Sequence, residues 1–325
     1  MPQRVKSAIL TSMPELPDIE LYRARLQERI AGERIESIRF YSPFVLRSVG
    51  VAPGHLEGRR AVAVFRLGKR IVIEFDGHST APCPRPPDPC FILIHLMIAG
   101  RLQWHSPPPP EKKATGRIQL ASLRFSSGQL SLVETSTRKR AGVWLIEGRS
   151  GLDEHRRAGI DALTATSAQF GERLLSQNRT LKRILTDPNS FDGIGNAYSD
   201  EILFAARLSP LRLTGSLESI EIERLRLAAS ETLAHWRARL LELYPGFPKP
   251  NDVTAFRPDF AVHGRFKQPC PVCGAPVQRI VYAENETNYC ANCQNEGRLL
   301  ADRSLSRLLK SDWPKTLEDM LEGKR

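Results

Sequence analysis

Apolar residues recur at helical spacing near the start of the chain, at Ile19, Tyr22, Leu26 and Ile30. Pro17 suits a first helical turn, and Asp18 and Glu20 suit its positive end. The pattern predicts one amphipathic helix to about Ile30. From Ile35 to Glu147 it changes to short β-rich runs, at 61–65, 71–75, 91–97, 118–125 and 143–146. Gly and Pro punctuate them, as in an antiparallel sandwich or barrel. Two Pro-rich stretches, 82–89 and 107–110, read as surface excursions. Past Ser150 the helical period returns, at 168–177, 180–186, 196–207 and 217–243. In the last of these, Leu225, Ala229, Leu233, Trp236 and Leu240 line one face. A connector, 244–268, leads to a cysteine-rich segment and a helical tail, 299–322. Residues 1–12 are basic and pattern-free.

Composition narrows the class. The chain has 325 residues, which suggests two to three domains. With 41% hydrophobic and 26% charged residues it is not a disordered chain. Its longest apolar run, 91–100, is about half a membrane span and carries His95. No N-terminal segment has the apolar core of a secretory signal. A cytoplasmic protein with no membrane partner is therefore expected, its six cysteines reduced or metal-bound. Lys plus Arg exceeds Asp plus Glu by 47 − 36 = 11, which points to a polyanion partner.

Four cysteines carry the strongest local signal. Cys270-x2-Cys273, sixteen residues, then Cys290-x2-Cys293 is the spacing of a four-thiolate zinc site. The run between them, QRIVYAENETNY, reads as a β-hairpin. One structural zinc ion is expected there. Cys83 and Cys90 lack two further ligands and are expected to be free thiols.

Met13-Pro14-Glu15-Leu16-Pro17-Asp18-Ile19-Glu20 resembles the start of the formamidopyrimidine-DNA glycosylase/endonuclease VIII (Fpg/Nei) family. The resemblance runs to about Gln294. It takes in Leu67-Gly68-Lys69-Arg70, the run Ile94-His95-Leu96, Gly193-Ile194-Gly195-Asn196-Ala197-Tyr198 with Glu201, and the cysteine segment. It implies an α+β chain: a helix with an antiparallel β-sandwich domain (13–150), a helix–two-turn–helix domain (151–245), then connector and zinc-finger β-hairpin (246–297). A helical tail, 298–325, follows. It implies a monomeric, nucleoid-associated DNA repair enzyme acting on damaged double-stranded DNA, a bifunctional glycosylase and abasic-site lyase. In such enzymes the initiator Met is removed and the new N-terminal proline attacks the sugar. Pro14 would then be the nucleophile, Glu15 the proton shuttle and Lys69 a phosphate contact. A free α-amine has a pKa of about 8, below lysine, so more of it is neutral at pH 7. An internal proline nitrogen is an amide and cannot attack. The chemistry therefore requires the active chain to begin at Pro14, with residues 1–12 absent and Met13 removed.

The resemblance also assigns Asn196 to phosphate, and a plain helix N-cap is a role that residue could fill at the same time. Lys182 and Arg183 extend a basic face, solvated or touching DNA. Ile98 stands where oxidised-purine enzymes of the family carry a Met wedge, and it reads equally as core. Lys139 or Arg140 stands at the next wedge position, and Ala141 replaces the aromatic third. Asn285 stands where the family has a phosphate-clamping arginine, and Arg279 is a nearby cation. These departures leave the lesion open and motivate a rival reading, an inactive protein that binds damaged DNA.

Overall fold

The computed structural model describes residues 13–77, 88–109, 118–254, 256–282, 285–300 and 314–322. The chain divides into two compact units. One comprises Pro14, Asp18–Arg156 and Leu240–Ala255; the other comprises Glu15–Pro17, Arg157–Arg239 and Phe256–Arg325.

The first unit begins with helix α1 (Leu16–Ile30). Eight strands follow: β1 (Ile35–Phe40), β2 (Ala61–Leu67), β3 (Arg70–Phe75), β4 (Cys90–His95), β5 (Gly100–His105), β6 (Gln119–Phe125), β7 (Gly128–Glu134) and β8 (Gly142–Glu147). They form two four-stranded sheets, β1-β6-β7-β5 and β2-β3-β4-β8, and every pairing is antiparallel. Ile38, Leu102, Leu123 and Leu130 from one sheet share a buried core with Ile73, Ile92, Ile94 and Leu145 from the other. Ile19, Tyr22, Leu26 and Ile30 of α1 close it. Alternate residues of the second sheet, Val72, Phe91 and Leu93, pack outward on Leu152 of α2 (Gly148–Asp153). The predicted run to Met97 stops at His95, where Met97 takes a left-handed φ of 53° and the chain turns. Cys90 is a buried free thiol, and burial pushes its pKa up. Cys83 lies outside the described residues.

The second unit holds a two-residue parallel pair, β9 (Ile160–Asp161) with β10 (Phe191–Asp192). Its helices are α3 (Ser167–Leu175), α4 (Leu181–Thr186), α5 (Asn196–Ala205) and α6 (Ser219–Leu243). Thr166 and Gln169 close a capping box that starts α3. The hairpin of β11 (Gln278–Tyr282) and β12 (Asn285–Tyr289) precedes α7 (Ala291–Asn295). The tail departs from the continuous helix predicted for 299–322. Leu299 N–H donates to Lys315 O, and Leu317 N–H donates to Gly297 O, so two extended segments pair before a short helix, Leu317–Glu322. Leu317 packs on Tyr289 and Ala291 of the finger, with Leu299 and Leu300 beside it. Leu305, Leu308 and Leu309 lie outside the described residues.

Candidate active site and nucleic-acid interface

In the second unit, Glu15 is 2% exposed and seated on the N-terminus of α5. Its Oε2 accepts from Gly195 N at 2.6 Å and Tyr198 N at 3.3 Å, and its Oε1 accepts from Ala197 N at 2.8 Å. The carboxylate thus takes the N–H groups that such a helix start otherwise offers to an anion. A helix start offers positive dipole and unpartnered donors, and a buried carboxylate satisfies both. Leu16 N–H donates to Gly193 O at 3.0 Å, fixing the register. Gly193 has φ +89°, and a Cβ there would meet Leu16 at 2.8 Å, so the close approach requires glycine. Pro14 is buried and bonded directly to Glu15.

Asn196 opens α5, half-buried. Its Nδ2 donates to Glu286 O of β12 at 2.9 Å, and its own carbonyl accepts from Lys182 Nζ at 2.7 Å. One amide N–H points to the hairpin, which leaves a second donor on the same nitrogen. Gly195, with no side-chain cap bond, is the N-cap residue, so Asn196 is not the plain cap.

Lys182 does not extend an exposed basic face. It is 9% exposed, and its ammonium turns inward to Asp200 Oδ1 at 2.5 Å. Asp200 is fully buried, and its Oδ2 meets His263 Nδ1 at 2.8 Å and accepts from Asn288 N at 3.0 Å. Burial pushes the Asp200 carboxyl up, but Lys182 and His263 outweigh it and hold it below its ordinary range. Next to it, Glu201 accepts from Ala261, Val262 and His263 N–H groups at 2.7 to 2.9 Å. For Glu201 burial dominates over those bonds, and its pKa is raised. These two acids therefore tie α4, α5, the segment 261–263 and β12 together. Arg183 remains exposed.

Asn285 begins β12 and pairs with Tyr282. On the neighbouring strand, the Arg279 guanidinium lies 4.3 Å from the Phe266 ring centroid and 3.4 Å from Glu286 Oε2.

The four cysteine sulfurs lie within 4.8 Å of one another. Cys270 and Cys293 Sγ are 3.9 Å apart, and Cys273 and Cys290 Sγ are 3.4 Å apart. Four thiolates at about 2.3 Å from one tetrahedral ion would stand about 3.8 Å apart, so the set fits zinc. Each knuckle is braced: Gly274 N–H donates to Cys270 O at 2.9 Å, and Cys290 N–H donates to Gln294 Oε1 at 2.9 Å. Cys270, Cys273, Cys290 and Cys293 form one structural zinc site.

In the first unit, Lys69 occupies a two-residue hairpin between β2 and β3, where Leu67 pairs with Arg70. Gly68 takes φ 62°, as the first central position of a tight hairpin turn requires. This holds the half-buried Lys69 on a rigid corner. Ile98 is half-buried in the turn after β4, while its neighbours Leu96 and Ala99 go inward. Arg140 is exposed. Lys139 is half-buried and its Nζ donates to Glu134 O, so Arg140 is the arm left for solvent. Ala141, in place of the aromatic, belongs to the sandwich core.

Pattern reading missed Glu134, Asp200, His263 and Asn288. A signal existed for Asp200, since the adjacent acids Asp200 and Glu201 stand directly before the apolar run Ile202–Ala205 of the helix NAYSDEILFA. Glu134, closing the strand GQLSLVE, gave a weaker one. Among the described residues no helix is long and apolar enough to cross a membrane.

Fold and site together define a zinc-hairpin protein of the helix–two-turn–helix class. Residues 13–143 match the formamidopyrimidine-DNA glycosylase N-terminal domain, 159–236 match its H2TH domain, and 267–295 match the zinc finger found in FPG and IleRS. The formamidopyrimidine-DNA glycosylase of Thermus thermophilus is 31% identical over 298 residues, 88% of this chain and 100% of that protein. The crystal structure of MutM (Fpg) from the same organism has a TM-score of 0.67 and 29% identity, covering 87% of this chain and 100% of that one. MutM in complex with DNA containing carbocyclic 8-oxo-G gives a TM-score of 0.71 at 25% identity, with the same coverage. The chain belongs to the formamidopyrimidine-DNA glycosylase family.

Proposed function

We propose that this protein is a DNA glycosylase and abasic-site lyase that removes oxidised bases from damaged duplex DNA, acting as a monomer. The observation that carries the reading is the seat of Glu15. Three backbone N–H groups hold its carboxylate at the start of α5, and Pro14 is the residue bonded to it. A chain beginning at Pro14 has a secondary amine at that point.

The amine attacks C1′ of the extruded nucleotide. The N-glycosidic bond breaks, and the base leaves with a proton. The sugar ring opens as its oxygen takes a proton, and in this reading Glu15 relays it. The adduct is an iminium with no N–H to lose, so it stays an electron sink. Loss of the C2′ proton then expels the 3′ phosphate, and hydrolysis returns the amine. Lys69 on its hairpin corner and the Asn196 amide supply donors to phosphate. The surplus of 11 positive charges favours the same partner. Zinc fixes the hairpin that holds Asn196 through Glu286 O, and takes no part in bond breaking.

The relatives named above carry the glycosylase name, and one neighbour was solved on 8-oxo-G DNA. Borohydride trapping on an abasic-site duplex tests the reading. Protein beginning at Pro14 should form a covalent adduct that is lost when its α-amine is blocked by acetylation. Damaged-DNA binding with no adduct would establish the inactive alternative. Intact mass of natively expressed protein shows whether residues 1–13 are absent.

A further inference from the structure

Strands β5 and β7 pair with Gly100 opposite Glu134. The turn 96–99 enters β5 at that end and the loop 135–141 leaves β7 there, so Ile98 and Arg140 hang from one edge of one strand pair. A buried charge sits at each root. Arg101 is 8% exposed and Glu134 is 1% exposed. Arg101 Nη1 donates to Ile98 O at 3.0 Å and Gly100 O at 2.8 Å, and Nε donates to Val253 O at 2.9 Å. The Glu134 carboxylate accepts from Arg140 N at 3.0 and 3.1 Å and from Ala141 N at 3.1 Å. Burial pulls the Arg101 pKa down, while the carboxylates of Asp18 and Glu134 oppose that pull.

Buried and part-buried backbone groups need partners, but uncharged ones suffice. Two buried charged groups carry a desolvation cost that a loop with no fixed geometry does not need. We propose that Arg101 and Glu134 are positioning residues, which hold Ile98 and Arg140 as a single two-pronged wedge for the gap left by an extruded nucleotide. Ile98 is the apolar prong for the base stack. Arg140, its backbone clamped, reaches toward the orphaned partner base. The inference rests on the glycosylase reading and deepens it.

The test is single-turnover base excision by protein beginning at Pro14. Substrates carry 8-oxoguanine or thymine glycol, in a fully paired duplex or in a single strand with no partner base. Glu134→Gln keeps shape but replaces one acceptor by a donor. It should slow duplex excision about tenfold or more, the size of one lost charge-assisted hydrogen bond. Single-strand excision should stay within about twofold, because no gap needs filling. Arg101→Lys keeps a buried cation but loses the fork, and should give the same split. Glu134→Gln combined with Arg140→Ala should be no slower than Arg140→Ala alone. Equal loss on both substrates, or additive losses in the double variant, would overturn the inference while leaving the enzyme reading intact. Wild-type protein that removes neither base and traps on no abasic site overturns both.

Discussion

The Glu15 seat predicts a specific stability loss in Glu15→Gln. The carboxylate serves three N–H groups through two acceptor oxygens, at 2.6, 2.8 and 3.3 Å. A glutamine keeps one acceptor. In its better orientation the amide oxygen serves Gly195 and Tyr198, and the NH2 group then faces Ala197 N–H. In the other orientation only Ala197 is served. At least one buried donor is left unpaired, at a cost of about 1–3 kcal/mol. Loss of the negative charge at the helix start adds about 0.3–1 kcal/mol, more in a buried setting. The sum is about 1.3–4 kcal/mol, which lowers the Tm of a protein this size by roughly 2–6 °C. Calorimetry on wild type, Glu15→Gln and Glu15→Ala measures it, with Glu15→Ala at least as unstable because it strands every donor. Hydrogen exchange at Gly195, Ala197 and Tyr198 localises the effect. A Tm within about 1 °C of wild type, with those amides equally protected, would refute the reasoning.

Asp200→Asn should cost about 3–5 kcal/mol at neutral pH by stranding Lys182. Asp200 is depressed in the folded state, so its contribution is present above the unfolded carboxylate pKa and fades as pH falls below about 4. Urea melts at pH 7 and pH 3 should therefore show the wild-type advantage shrinking, and a constant gap would contradict the assignment. Truncation after Arg298 uncovers Tyr289 and Ala291 by removing Leu317, which is 5% exposed. It should cost about 1.5–3 kcal/mol and speed zinc release to a chelator, read with a metallochromic dye. Binding to an abasic-site duplex should weaken linearly on a log–log plot against salt, and a flat plot would argue against phosphate contacts.

The sandwich and the helical unit were legible because burial there follows a period. Ile19, Tyr22, Leu26 and Ile30 repeat at helical spacing, and all four are fully buried. The zinc site was legible because four like ligands at fixed spacing leave little choice of geometry. The groups that position the candidate site obey neither rule. Glu15 contacts residues 180 to 183 positions away, and nothing local to Pro14 distinguishes a helix lead-in from a carboxylate docked on another helix. Lys182 reads as surface by residue type, yet Asp200 on another helix turns it inward. Glu134 ends a strand buried along its whole length, where a charge looks like an error in the pattern until the N–H groups of Arg140 and Ala141 are found on it. Each case has the same physical origin. A buried charge is tolerated only where partners distant in the chain converge on it, so its environment is a property of the fold. A buried charge beside an apolar run is therefore the place where pattern reading stops and function begins. In this chain Glu134 and Asp200 stand beside such runs, and each holds a loop or helix start that carries a candidate DNA contact.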